Sequence, residues 1–113
     1  MSVLVITVRE IRGRCPVFKE GDRMVIEGPR IRLDETDAVC VHALACLSAF
    51  LVALRDGAPP PSLGLAKSGD VAYFQCLDPG EPYTSGGTVI FAVERKGWKP
   101  SVEGTDQVNK RRL

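Results

Sequence analysis

The chain has 113 residues, enough for one domain and too few for two ordinary cores. Hydrophobic residues make up 44% of it, which excludes a disordered chain. Fifteen basic residues face 14 acidic ones for a net charge of +1, and duplex phosphate is normally gripped by a basic excess, so nucleic acid is not an expected partner.

Residues 2–11 (SVLVITVREI) are rich in β-branched side chains with period two, which predicts a strand with Val3, Val5, Thr7 and Arg9 on one face and Leu4, Ile6, Val8 and Glu10 on the other. The same alternation argues against a signal peptide. Gly13 ends the strand, and Cys15-Pro16 holds the cysteine extended. Gly21-Asp22 is a turn signal before a second short strand, RMVIE at 23–27, which Gly28-Pro29 closes.

Asp34-Glu35-Thr36-Asp37 should open a helix, with Thr36 or Asp37 capping its free N–H groups and the acids suiting the positive end of its dipole. That helix is predicted over 38–55, stopping at Gly57 with Arg55 in its last turn. Leu44, Leu47, Leu51 and Leu54 form its stripe, widened by Ala43 and Phe50. It is nearly apolar around its circumference, so a second surface beyond the sheet is expected, a homo-oligomer through this helix. Its apolar run, 43–54, is broken by Ser48 and too short to cross a bilayer, so no membrane partner is expected either.

Three consecutive prolines, Pro59 to Pro61, start a loop through Asp70. A third strand is predicted at 71–77 (VAYFQCL) and a fourth at 88–94 (TVIFAVE), joined by a link rich in Pro and Gly. Residues 1–96 thus form a single α+β domain, and 97–113 a polar C-terminal tail with Trp98 as an anchor. Strand, strand, helix, strand, strand implies a small four-stranded antiparallel or mixed sheet covered by one long helix.

The chemistry of this chain rests on its cysteines. Cys15, Cys40 and Cys76 stand at the edges of predicted elements, where distant parts of a chain converge. Cys46 lies inside the helix, about 120° round the axis and about 9 Å along it from Cys40, and reads as an inert core thiol. With no leader, a cytoplasmic location is expected, where thiols stay reduced. Four cysteines are then a metal set, a redox set or core residues before they are disulfides. No CxxC pair is present.

Gly13-x-Cys15-Pro16, Gly21-Asp22, Cys40 before an Ala-rich helix ending in Gly57, and Cys76-x-Asp78 before Val-Ile-Phe-x-Val-Glu-Arg recur together. In this combination, over about residues 3–95, the chain resembles a small uncharacterised family of bacterial and archaeal three-cysteine proteins. The resemblance implies that Cys15, Cys40 and Cys76 act as a set and that Cys46 does not belong to it. The chain departs from the family at His42, where members often carry an aromatic residue, and at Gln75, where they often carry a second cysteine.

Three thiolates suit an iron–sulfur cluster, which leaves one iron open to a carboxylate such as Asp78; Cys15-Pro16 matches the frequent proline after cluster cysteines. Zinc is the alternative cofactor, and a structural site wants a fourth ligand, for which His42 is the candidate. If both residues are helical, however, Cys40 and His42 point about 200° apart. The leading expectation is a small metalloprotein binding a cluster or zinc through Cys15, Cys40 and Cys76, with His42 or Asp78 as candidate fourth ligand. One alternative is a thiol redox enzyme or sensor with Cys40 as attacker, since a helix N-terminus lowers a thiol pKa. Another is a homo-oligomeric interaction subunit without catalysis.

Overall fold

The N-terminal alternation becomes the central strand of the structure, a computed structural model that describes residues 3–97. In β1 (Val3–Gly13), Leu4, Ile6 and Val8 are buried while Val3, Val5 and Thr7 are only half-buried. Val8 pairs with Phe91 but Glu10 with Ile90, so a bulge at Arg9 shifts the phase by one residue. Ile11, not Glu10, therefore returns to the core side.

The other strands are β2 (Arg23–Glu27), β3 (Arg30–Ile31), β4 (Ala72–Gln75) and β5 (Gly87–Lys96). All pairings are antiparallel, in the order β3-β2-β1-β5-β4. This corrects the expected four-stranded sheet. Gly28-Pro29 does not end the strand region; it closes a two-residue hairpin, Glu27 pairing with Arg30, and adds a short edge strand.

The single long helix over 38–55 is also overturned. Two short helices stand in its place, α1 (Val41–Leu47) and α2 (Leu51–Arg55). Between them Phe50 leaves helical geometry at φ −134°, ψ 10°, its N–H reaching back three residues to the Leu47 carbonyl at 3.0 Å. The Ser48 hydroxyl donates to the Ala45 carbonyl at 3.0 Å. The break lets the Phe50 ring meet Phe74 edge-on, centroids 5.7 Å apart, while Leu47 and Leu54 both stay buried. Packing on the sheet thus outweighs the few helical hydrogen bonds lost there. A Schellman arrangement ends α2, Ala58 N–H bonding Ala53 O and Gly57 N–H bonding Leu54 O, with Gly57 at φ 98°.

The expected N-terminal capping does not occur. Asp34 and Glu35 lie in a 3-10 turn (Leu33–Glu35), and the chain is extended again at Thr36 and at Cys40. Thr36 Oγ1 accepts the Val25 N–H at 3.0 Å and Asp37 Oδ2 accepts the Arg23 N–H at 2.9 Å. These oxygens satisfy the outer edge of β2 where the two-residue β3 gives out.

Both helices lie on one face of the sheet through Ala43, Leu47 and Leu54, leaving Val41 and Val52 exposed. The core's spine is aromatic. Phe74 stacks on Phe91 at 4.7 Å, and Phe18 meets Phe91 edge-on at 5.4 Å. Among the described residues no helix is long and apolar enough to cross a membrane. Trp98 and nearly all of the expected tail lie outside the described residues.

Candidate thiol-lined cavity

Strand directions bring two of the cysteines together. Both β1 and β4 run antiparallel to β5, so their C-terminal ends flank its beginning, with Gly13 opposite Gly87 and Gln75 opposite Ile90. Cys15 follows the first strand and Cys76 the second. The approach is close: a Cβ on Gly87 would stand 2.3 Å from the backbone nitrogen of Arg14. Cys40 arrives from the other layer, as the extended residue before α1.

All three line one cavity of about 390 Å³. Its walls are largely apolar (Val17, Phe18, Val39 and Val89 among them), with Arg14, His42 and Asp78 as the charged or titratable groups besides the thiols. Every residue singled out from the sequence for the site thus lines this cavity.

The three thiols differ. Cys15 is half-buried, and its sulfur accepts the Phe18 N–H at 3.3 Å, held there by Phe18 docking on Phe91. Cys76 is 7% exposed; its sulfur accepts the Val89 N–H at 3.3 Å and its thiol donates to the Gly87 carbonyl at 3.7 Å, prolonging the β4–β5 ladder with a side chain. Cys40 is half-buried, and among the described residues its sulfur has no hydrogen-bond partner.

Asp78 is held firmly. Its Oδ1 accepts the Gly80 N–H at 2.9 Å and, closer still, the Thr84 hydroxyl, while its backbone carbonyl accepts the Thr88 hydroxyl at 2.7 Å. The Thr84 hydroxyl and then the Gly80 N–H keep its carboxyl below the usual carboxylate range, with a smaller pull from the charge of His42. His42 itself is exposed. The premise that Cys40 and His42 point apart does not hold, because Cys40 precedes the helix.

The same premise separated Cys46 from Cys40. Cys46 is half-buried and packs against the core without lining the cavity. Burial pushes its thiol pKa up, helped by the neighbouring Cys76 and Cys40 thiols.

Among the described residues no three His, Cys, Asp or Glu side chains are grouped so that they could hold one ion. Cys15, Cys40 and Cys76 line the same cavity from three separate stretches of the chain. What the cavity offers is thiol nucleophiles in an apolar space beside fixed charge. Sequence reasoning missed Arg14, which lines the cavity beside Cys15. Comparisons of the chain with family models, with curated proteins and with solved structures give no match, so the site is read from its own geometry.

Proposed function

We propose that this protein works through its cavity thiols, as a thiol redox enzyme or sensor acting on a small molecule. The observation that supports this is the meeting of three cysteines from three distant stretches on one cavity, while the fourth stays outside. Cys40 is the attacking thiol, being partly accessible and unengaged, whereas Cys15 and Cys76 are tied to backbone.

With a disulfide as substrate, the Cys40 thiolate forms a bond to one substrate sulfur, and the other leaves with the bonding pair and takes up a proton. A second cavity thiol then attacks the mixed disulfide and releases the second substrate thiol. Two electrons and two protons pass to the substrate, and the protein keeps an internal disulfide.

Site-resolved alkylation with iodoacetamide, read by mass spectrometry across neutral pH, tests this. Cys40 should label roughly 10-fold faster than Cys46 or more, as reactive and inert thiols differ. Equal slow labelling of all four cysteines would refute the proposal. The competing reading, an iron–sulfur cluster or zinc on the same three sulfurs, requires them to draw together on loading. Stoichiometric metal in the protein as purified, lost in Cys76→Ser, would replace the thiol reading with that one.

A further inference from the structure

The charge around the cavity is lopsided. Of its three polar neighbours besides the thiols, Asp78 keeps its negative charge but turns its oxygens to its own loop: Gly80 and Thr84 occupy Oδ1, and Gly86 closes against Oδ2. Arg14 is exposed and makes no ion pair or hydrogen bond among the described residues. Glu81 shares a neighbouring depression with Arg14 without pairing to it. His42 adds a second group that can carry positive charge. The remaining wall is apolar, and the volume suits a compact organic molecule, not a peptide or a bare ion.

Resting on the thiol reading, we propose that the cavity takes a small carboxylate-bearing electrophile, its carboxylate at Arg14 and His42 and its reactive atom at the cavity sulfurs. A guanidinium matches a carboxylate with two parallel hydrogen bonds, which would aim the rest of the molecule into the apolar space.

Iodoacetate and iodoacetamide are nearly equal in size and differ in charge, so they serve as the probe pair. With either, the thiolate sulfur forms a bond to the methylene carbon, the C–I bond breaks, iodide leaves with the electron pair, and the thiol proton has gone to solvent. An ordinary thiolate repels the charged reagent and reacts more slowly with it. At Cys40 the iodoacetate-to-iodoacetamide rate ratio should exceed that at Cys46 in the same protein by about 10-fold or more, the low end of electrostatic concentration in a charged cleft. Arg14→Gln should return the Cys40 ratio to the Cys46 value, and added salt should erode it. Fast iodoacetamide labelling of Cys40 with no preference for iodoacetate would overturn this inference and leave the thiol reading standing. Slow labelling by both reagents would remove both.

Discussion

The carboxylate of Asp78 occupies the space beside Gly86: a Cβ added to that glycine would stand 2.2 Å from Oδ2 and 3.1 Å from the carboxyl carbon. Gly86→Ala must therefore displace the carboxylate from Gly80 and Thr84 or shift the loop. A loss of about 1–3 kcal/mol is expected, the usual cost of overpacking. Urea denaturation would measure it, and a variant as stable as the parent would show that Asp78 is not held in place.

Acid should act through Asp22. This buried residue accepts the Lys19 N–H at 3.0 Å through Oδ2 and the Lys19 ammonium at 3.0 Å through Oδ1. The backbone N–H chiefly, and the ammonium after it, hold its carboxyl below the ordinary value against the opposing push of burial. A folded-state pKa below the unfolded one stabilises above the unfolded value of about 3.9, and the gain disappears as pH falls through the folded value. Asp22→Asn should be less stable than the parent at neutral pH by about 1 kcal/mol, the scale of one hydrogen bond. The gap should begin to close as pH falls through about 4, the unfolded value, and vanish only below the lower folded one. Asp78 and Glu10 are shifted in the same direction, so the difference between the two proteins isolates Asp22. A gap constant with pH would show that Asp22 is not depressed.

Single strands were readable because period two and turn residues are local signals, and Arg23–Glu27 is the strand its sequence predicts, but the five-stranded sheet was not foreseen. The helix was not readable because an apolar run of Ala, Val and Leu carries no phase to mark a break. That break is tertiary, set by Phe50 against a ring on β4. Thr36 and Asp37 misled for a related reason: the oxygens that cap a helix serve a strand edge equally well. For the site, element ends at Cys15, Cys40 and Cys76 were visible, but their shared wall depends on sheet order, with the ends of β1 and β4 flanking the start of β5. Arg14 had no local mark to distinguish it from any other surface arginine.

Cys46 should react more slowly than Cys40 in the folded chain. Its pKa is raised by burial first and by the neighbouring Cys76 and Cys40 thiols second, and only the thiolate reacts. Pulsed alkylation near neutral pH should find it at least about 10-fold slower than in urea, where all four cysteines become equivalent. Cys46→Ala should leave labelling of Cys40 within about twofold of the parent, since that thiol lies outside the cavity. A fast Cys46 would contradict its burial.

Arg95 fastens the helical layer to β5. Its side chain is 5% exposed, and one guanidinium nitrogen donates to the carbonyls of Leu54 at 2.9 Å and Ala58 at 2.8 Å, where α2 ends and the negative pole of its dipole lies. The other nitrogen meets Asp70, which is 72% exposed. Arg95→Met keeps bulk but strips donors from two carbonyls, so a cost of about 2–4 kcal/mol is expected. Arg95→Lys should recover only part, because an ammonium cannot reproduce the planar fork. Asp70→Asn should cost less than about 1 kcal/mol, since water screens that pair. Denaturation midpoints of the three variants would rank them, and Arg95→Met within about 0.5 kcal/mol of the parent would refute the anchor. A second readout ties the anchor to the cavity: Cys40 leads into the helical layer and Cys76 belongs to the sheet, so loosening the layer in Arg95→Met should speed alkylation of the buried Cys76.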